Sequence, residues 1–422
     1  MYLKRALVCS IFAAAVIAVA GCGSSSSTSS SKSTSSGASS GGGNTVDIYS
    51  SLPLQGASKD QTGAMVKGAQ LALKQAGGKA GTFTVNYTPL DDSTAQAGSW
   101  DPGQTAADAR KAAQDSKTVY YLGEFNSGAS AISIPILNQA GIPQVSPANT
   151  YVGLTTNEAG SAPGEPLKYY PTGKRTYLRI VPRDSIQAAA LLKTVKADGC
   201  TKVAIANDKE TYGAGLARLL ELKAGAAGVK IVSNTGIEKT APNFRSYAQT
   251  IKGQGADCFI FSGVTANGAV QINKDVAAAL PTAKLYGPDG ICESGFTNPA
   301  KHGIPAALAS RFKCTVATQN LTAYPGGRTF LAAYTAAYQD SHPDPYAIYG
   351  FEGMKLALDT IAGLGPKGND KAAVLAALFA TKNRSSVLGT YGFDANGDTT
   401  LTDYGLYKVG ASGDPVFSKT IK

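Results

Sequence analysis

The chain has 422 residues, with 39 Lys and Arg residues against 29 Asp and Glu residues, and a formal net charge of +10. The basic residues are scattered and no nucleic-acid-binding motif accompanies them, so this charge favours residence near an anionic envelope over nucleic-acid binding. His302 and His342, the two histidines, lie in polar loop-like segments, which leaves little for Ser–His or Cys–His catalysis.

The first 44 residues predict an exported, lipid-anchored protein. Lys4 and Arg5 precede an apolar run at 6–20 that is typical of an export signal and too short to span a bilayer. V-A-G-C at 19–22 resembles a bacterial lipobox, in which Cys22 becomes the lipid-bearing first residue of the mature chain. Residues 23–44 are almost all Ser, Gly and Thr, which is typical of a flexible tether.

We therefore predict a lipoprotein signal peptide at 1–21 and the lipidated Cys22 with its tether at 22–44. An ordinary signal peptide with an incidental cysteine is the alternative, and the tether argues against it. The predicted mature chain carries 37 basic and 29 acidic residues, a net charge of +8. We expect it to be extracytoplasmic and anchored to the cell membrane.

From residue 45 onward, short β-branched runs alternate with segments of helical periodicity. Strands are predicted at 46–50, 83–90, 119–123, 142–146, 177–181, 203–207, 229–237, 259–262 and 284–286. Helices are predicted at 63–76, 105–115, 130–140, 186–197, 213–226, 244–252, 267–279, 326–339, 346–364 and 371–380, before a final strand pair. The alternation predicts an α/β fold with parallel sheets covered on both faces, and the number of strands favours two doubly wound lobes.

Four cysteines remain after the predicted signal peptide and anchor, an even number that permits two disulfides in an exported protein. Cys200 and Cys258 each begin an apolar strand-like run, and neighbouring parallel strands would bring the two together. The preferred pairing is therefore Cys200–Cys258 with Cys292–Cys314, although spacing alone permits three pairings. A zinc site is rejected because no C-x-x-C spacing occurs.

Motifs that would indicate catalysis or a metal site do not occur. There is no G-x-S-x-G elbow and no G-x-x-x-x-G-K-[ST] phosphate loop. Asp91 and Asp92 are adjacent on an extended segment, so their side chains point opposite ways and do not suit a shared acid–base site. Asp394, Asn396 and Asp398 lack the Gly and Glu of a calcium loop, which favours a β-turn. We predict no enzyme, no cofactor and no metal.

Polar loops follow several of the predicted strands, at 124–128, 146–150, 208–213 and 287–290. In parallel sheets such loops meet outside the carboxyl ends of the strands, where ligands bind. Their hydroxyl, main-chain and carboxylate groups suit a small zwitterion that is held without being changed.

The ordered set of these loops resembles a known family. Y-L-G-E-F-N-S-G-A-S, I-P-Q-V-S-P-A-N-T, V-A-I-A-N-D-K-E-T-Y-G-A-G-L-A and L-Y-G-P-D-G occur in this order and spacing. Together they look like the type I periplasmic solute-binding proteins, and more narrowly the leucine/isoleucine/valine-binding branch that serves ABC importers. The resemblance covers essentially residues 45–422. It implies two lobes joined by three crossovers, with lobe 1 at 45–180 plus 315–385 and lobe 2 at 181–314 plus 386–422.

The resemblance also implies ligand contacts at six residues: Ser127, Ala148, Asn149, Thr150, Tyr212 and Asp289. Ser127 would bind a ligand carboxylate, and 148–150 would contact both ends of an amino acid. Tyr212 would close over the ligand, and Asp289 would pair with its ammonium in place of the family's longer Glu. Asn149 replaces a small residue, so it would add a polar contact or reduce the pocket.

Each of these residues also has a structural interpretation. Ser127 could cap the following helix, Thr150 could be a loop hydroxyl, and Tyr212 could pack between the lobes. Asp289 in G-P-D-G is compatible with a turn. Trp100, in the polar segment S-W-D-P-G, is interpreted as a surface anchor, with a pocket wall that reaches into the cleft as the alternative. The insertion at 151–174 either rims the cleft or decorates it.

The implied function is a monomeric, lipid-anchored receptor that hinges shut on an amino acid, branched-chain or related, and presents it to an ABC permease. A ligand sensor for a signalling partner is the alternative from another class. A receptor for another small carboxylate, an aromatic acid or an amide is a third possibility. A hydrolase would need a nucleophile–base pair, and the sequence shows none.

Overall fold

The computed structural model describes residues 44–421. The predicted signal peptide, Cys22 and residues 23–43 of the tether lie outside this range. Among the helices at 44–421, none combines the length and the apolar composition that crossing a bilayer requires.

The first sheet is built from the N-terminal part of this range. Its spatial order is β2-β3-β1-β6-β7-β8, and all neighbours run parallel except β2 and β3. A separate short hairpin joins β4 to β5. The bounds are β1 (Thr45–Leu52), β2 (Lys79–Ala80), β3 (Phe83–Asp91), β4 (Ser93–Thr94), β5 (Ser99–Trp100), β6 (Thr118–Gly123), β7 (Gln144–Ser146) and β8 (Tyr177–Arg179).

Three helices connect these strands: α1 (Lys59–Gln75), α2 (Pro102–Gln114) and α3 (Ser127–Gln139). Each begins three or four residues before the predicted start, because its first turn is polar and shows no apolar periodicity. The α2 start is stabilised by the Asp101 carboxylate, which accepts a hydrogen bond from the Gln104 N–H at 3.0 Å. The predicted end of α1 at residue 76 is confirmed: Ala76 is the C-cap, and Gly77 and Gly78 follow it with positive φ.

The second sheet has the order β10-β9-β11-β12-β13-β16-β17. Strands β9 to β13 run parallel to one another, whereas β16 is antiparallel to both β13 and β17. In chain order the elements are α4 (Asp184–Ala197), β9 (Lys202–Asn207), α5 (Thr211–Ala224), β10 (Lys230–Gly236), α6 (Arg245–Gly253), β11 (Cys258–Ser262), α7 (Val270–Ala279), β12 (Lys284–Gly287), α8 (Ser294–Thr297) and β13 (Phe312–Val316).

The last part of the chain returns to the first sheet before it completes the second. Its elements are α9 (Gly327–Tyr338), α10 (Ala347–Gly363), α11 (Lys371–Phe379), β14 (Arg384–Ser386), β15 (Gly389–Tyr391), β16 (Tyr404–Val409) and β17 (Pro415–Ile421). Helix α10 crosses α1 at two glycines. A Cβ on Gly68 would lie 2.1 Å from the Ala347 carbonyl oxygen, and one on Gly350 would lie 2.0 Å from that of Met65. The two helices therefore pack closer than a side chain at either position would permit.

Within 44–421 the chain passes between the two sheets after β8, after β13 and after β15, which confirms the two-lobed α/β fold with three crossovers. The residue ranges of the lobes stay a prediction. Asp398 lies beside β8, where it bridges to Arg179, and this contact favours a third crossing near residue 400. Strand β13 was not predicted, because F-K-C-T-V is short and contains a charged residue.

Both predicted disulfides are present. Cys200–Cys258 joins the start of β9 to β11, its parallel neighbour, with 5.9 Å between the Cα atoms. Cys292–Cys314 joins the loop after β12 to β13, with a Cα separation of 5.6 Å. In the described part of the chain, the group of possible metal ligands is Cys200, Asp257 and Cys258. Its two thiols are consumed by the disulfide.

Candidate interlobe ligand site

A small cavity lies between loops at the carboxyl ends of strands from both sheets. Five of the six predicted site residues line it: Ser127, Ala148, Thr150, Tyr212 and Asp289. Phe125, Asn126, Val264 and Gly290 complete the lining. The cavity measures about 20 Å³, room for roughly one water molecule. A solute larger than a water molecule therefore does not fit in the cavity at its present size.

Ser127 is the first residue of α3 and is almost fully buried. Asn126 takes the N-cap position, and no side-chain hydrogen bond caps this helix. The free N–H groups of a first helical turn carry a partial positive charge and bind anions. The α3 start, with the Ser127 hydroxyl, is therefore chemically suited to a carboxylate.

The stretch at 146–150 is a hydrogen-bonded turn. The Ser146 hydroxyl accepts hydrogen bonds from the N–H groups of Ala148 at 3.1 Å and Asn149 at 2.8 Å. It donates to the Glu124 carbonyl oxygen at 2.7 Å, which ties the turn to the loop after β6. These bonds hold Ala148 and Thr150 at the cavity.

Asn149 is the predicted site residue that does not line the cavity. Its amide oxygen accepts hydrogen bonds from Ser130 and from Tyr177, the latter at 3.0 Å. Its amide nitrogen donates to the Phe125 carbonyl oxygen at 2.7 Å. The side chain thus joins three segments inside the first lobe, where its polar atoms are already occupied.

A buried ion pair fixes the backbone on both sides of Thr150. Arg179 Nε donates to the Asp398 carboxylate at 2.6 Å, and both residues are almost fully buried. The Arg179 guanidinium also donates to the carbonyl oxygens of Asn149 at 3.2 Å and Tyr151 at 2.8 Å. Asp398 belongs to the predicted β-turn at 394–398, where the Asp394 carboxylate accepts from two backbone N–H groups.

Asp289 is held by donors on three different elements. Gln187 Nε2 on α4 donates to one carboxylate oxygen at 2.7 Å, and the Tyr212 hydroxyl donates to the same oxygen. The Tyr346 hydroxyl donates to the other oxygen at 2.7 Å. Burial raises the pKa of Asp289, and these hydrogen bonds oppose the rise. Asp289 begins a short helical turn, which confirms the turn interpretation, and its contact with a ligand stays a prediction.

Asp184, the first residue of α4, is a second buried acid, one hydrogen bond away from Thr150, which lines the cavity. Its backbone N–H donates to the Thr150 carbonyl oxygen at 2.8 Å. The side chain is fully buried, and neither carboxylate oxygen has a hydrogen-bond partner within the described residues. Burial raises the pKa of Asp184 well above its ordinary value and the nearby charge of Asp289 adds to the rise, whereas the Thr150 side chain and the Arg179 charge oppose it. A buried acid with so little compensation is costly unless a further donor or cation reaches it.

Trp100 does not serve as the predicted surface anchor. Its half-buried ring packs on the start of α3, where a Cβ on Gly128 would lie 2.7 Å from a ring carbon. The insertion at 151–174 contacts lobe 2 at α5: Tyr151 packs on Gly215, and Arg218 donates to the Gly160 carbonyl oxygen at 2.8 Å. The insertion, which lies between β7 and β8 in the chain, therefore connects the first lobe to helix α5 of the second.

Glu293 lies where the two lobes touch. The Ser58 hydroxyl, just before α1, donates to one oxygen of its carboxylate at 3.4 Å, and the other oxygen is buried without a partner in the described range. A salt bridge between Lys301 and Asp60 at 2.7 Å spans the same junction. Burial raises the pKa of Glu293 to about 8. Burial likewise raises the pKa of Asp344, a charged neighbour, to about 7.

Several residues of this region could not be recognised from the sequence. Asp184 opens a helix, where an acid is expected for helix-dipole reasons alone. Glu293 follows a cysteine in a loop with no periodicity. Phe125 and Asn126 lie in the E-F-N-S-G loop. The sequence feature that could have identified them as site residues is their position directly after a predicted strand.

Comparison with known proteins agrees with this geometry. A family model described as periplasmic binding protein matches residues 45–414. A Leu/Ile/Val-binding protein of Escherichia coli (strain K12) is 26% identical over 325 residues, which cover 76% of this chain and 79% of that protein. A leucine-binding protein from Thermotoga maritima MSB8 has a TM-score of 0.74 at 20% identity, covering 89% of this chain and 99% of the other. A solute-binding protein of an ABC transporter from R. palustris, in complex with benzoate, has a TM-score of 0.71 at 20% identity, with coverage of 89% and 96%.

The fold and the interlobe cavity define a two-lobed solute-binding protein. Because the family model covers most of its length, the chain belongs to the periplasmic binding protein family. Members of this family bind solutes and do not catalyse reactions, so the protein is a solute-binding receptor of the kind that serves ABC importers rather than an enzyme.

The Arg179–Asp398 pair supports a prediction about stability. Arg179→Met should lower the free energy of unfolding by about 3–5 kcal/mol, because it leaves the buried Asp398 carboxylate without its main partner. Urea unfolding of the purified full chain measures the change, with the exposed Arg245→Met as the matched control. The double variant Arg179→Met/Asp398→Leu should recover part of the loss. A single variant as stable as its control would contradict the role assigned to the pair.

Glu293 supports a prediction about pH. Its pKa is near 8 in the folded protein and near 4.5 when unperturbed, so the folded state binds the extra proton between these values. The free energy of unfolding should therefore fall as pH rises from about 5 to 8, by up to about 1.4 kcal/mol per pH unit for this group. Glu293→Gln should remove that contribution in urea unfolding at pH 5, 6, 7 and 8. The exposed Glu238→Gln should keep the wild-type slope, and an unchanged slope in Glu293→Gln would refute the assignment.

Proposed function

We propose that this protein is the lipid-anchored receptor of an ABC importer and that it binds an amino acid between its lobes. The observation that carries the proposal is a cavity lined both by Ser127 at the start of α3 and by the buried acid Asp289, with a second buried acid, Asp184, one hydrogen bond behind Thr150. The site thus offers an anion-binding group and a cation-binding group to one small molecule.

The carboxylate of the ligand would bind at the start of α3. The N–H groups of the first turn and the Ser127 hydroxyl supply donors, and the helix dipole favours a negative charge there. Thr150 supplies a further hydroxyl at the cavity wall. These contacts would serve any small carboxylate, so they do not by themselves select an amino acid.

The ammonium of the ligand would bind at the two acids. Asp184 has unpartnered carboxylate oxygens, and both Asp184 and Asp289 have raised pKa values because burial disfavours their charged forms. A cation beside them would supply the missing compensation. A benzoate-like ligand has no such cation and would leave the acids as they are, so the site favours a zwitterion.

The remaining parts of the proposal follow from the sequence and the family. Cys22 would carry the lipid, and the tether would let the receptor reach its ABC permease as a monomer. The predicted lobes, 45–180 plus 315–385 and 181–314 plus 386–422, would close as a hinge on the ligand. Relatives named as Leu/Ile/Val-binding and leucine-binding proteins support an amino acid, branched-chain or related, as the solute.

A thermal-shift screen of the purified full chain tests the ligand class. We expect amino acids to raise the melting temperature, because a ligand that binds only the folded state stabilises it. Benzoate and 4-hydroxybenzoate should leave the melting temperature unchanged. If the aromatic acids raise the melting temperature and no amino acid does, the ligand is an aromatic acid and the proposed amino acid is wrong.

Site variants test the binding mode by calorimetry with the amino acid that gives the largest shift. Ser127→Ala and Thr150→Val should each weaken binding by about 1–3 kcal/mol through loss of hydrogen bonds to charged groups. Asp184→Asn and Asp289→Asn should weaken it at least as much, since they remove the charge that pairs with the ammonium. Glu238→Gln is the exposed control. Wild-type affinity in both Asp variants would show that the ammonium of the bound amino acid does not lie beside Asp184 and Asp289.

A further inference from the structure

A second small cavity continues the cleft beyond the proposed amino acid site. Asn126 and Val264 line both cavities, which makes the two neighbours in one cleft. The second cavity is also lined by Gln55, Ser58 and Trp100. It has walls from both lobes, since Val264 and Ala266 follow β11 and the other lining residues belong to the first lobe.

Hydrogen-bond acceptors without partners distinguish this second cavity. The side-chain oxygen of Asn126, which lines both cavities, is buried and has no hydrogen-bond partner within residues 44–421. Glu293, 2% exposed, reaches Ser58 at the cavity wall with one carboxylate oxygen. Its other oxygen is likewise buried and unpartnered in the described range. Asn126 thus supplies an unpartnered acceptor in the cavity lining, and the Glu293 carboxyl lies one hydrogen bond behind the lining residue Ser58. Both call for a group that donates hydrogen bonds.

An aliphatic side chain cannot satisfy these acceptors. A leucine or valine side chain seated here would exclude water from Asn126 and Glu293 and supply no donor in return. A side chain that ends in N–H groups would donate to the Asn126 oxygen and would bring a donor towards the Glu293 carboxyl behind Ser58. Trp100 adds a flat wall along which the methylene groups of such a side chain could pack.

We infer that this second cavity is the side-chain subsite of the receptor and that it selects an amino acid whose side chain ends in N–H donors. The inference rests on the proposed amino acid function and names the ligand class more narrowly. In this assignment Asn126 and Glu293 determine specificity, Ser58 orients Glu293, and Trp100 forms the wall.

Calorimetry on the purified full chain with L-glutamine, L-ornithine and L-leucine tests the inference. L-Glutamine or L-ornithine should bind at least about tenfold more tightly than L-leucine, because buried acceptors reject an analogue that lacks the donor. Glu293→Gln, which is nearly isosteric, should reduce this preference at least about fivefold, and Asn126→Leu should shift it in the same direction. Glu238→Gln should retain the wild-type preference.

The outcomes separate this inference from the proposed function. Tighter binding of L-leucine than of both donor-bearing amino acids overturns the subsite and leaves the amino acid receptor intact. Binding of 4-hydroxybenzoate with no binding of any of the three amino acids overturns both. An unchanged preference in a folded Glu293→Gln variant, judged by its melting temperature, overturns the role of Glu293 even if Asn126→Leu does not fold.

Discussion

The geometry of the turn at 146–150, whose Ala148 and Thr150 line the interlobe cavity, depends on the buried ion pair between Arg179 and Asp398. Removing two charges from water is costly, and the cost is offset only when every donor and acceptor of the pair finds a partner. Arg179 satisfies this condition by binding the carbonyl oxygens of Asn149 and Tyr151 as well as the carboxylate. The end of β8, the turn at 394–398 and the backbone around Thr150 must therefore meet at one point. Side chains alone would not place the Thr150 hydroxyl at the cavity so firmly.

Three acids lie on the lobe 2 side of the cleft, across from the first-lobe turn that the Arg179–Asp398 pair holds in place. Asp184, Asp289 and Glu293 are all buried, and burial raises the pKa of each carboxyl. Under the proposed function, closing the lobes would carry an electrostatic cost that a donor-bearing or cationic ligand would offset. The receptor would then close fully only around the correct solute, because the carboxyls proposed to bind the ligand would oppose closure without it.

Much of the architecture could be predicted because it depends on local patterns. The alternation of β-branched runs with helical periodicity indicated the α/β fold, and the cysteines at strand starts indicated the Cys200–Cys258 disulfide. Helix starts were placed too late where the first turn is polar, as in α1 (Lys59–Gln75), whose apolar pattern begins only at Ala64. Strand β13 (Phe312–Val316) was missed because its pairing with β12 and β16 stabilises it more than its own short pattern.

The sequence by itself determined the class of fold, the polar loops that follow the strands, and five of the residues that line the cavity. Only the tertiary structure decided that the Asn149 amide serves the interior of the first lobe, that Asp184 is buried without a partner, and that Trp100 packs on α3. The physical reason is distance along the chain. Whether a polar side chain is buried, and what it contacts there, depends on residues such as Asp398, which lies 219 positions after the arginine it binds.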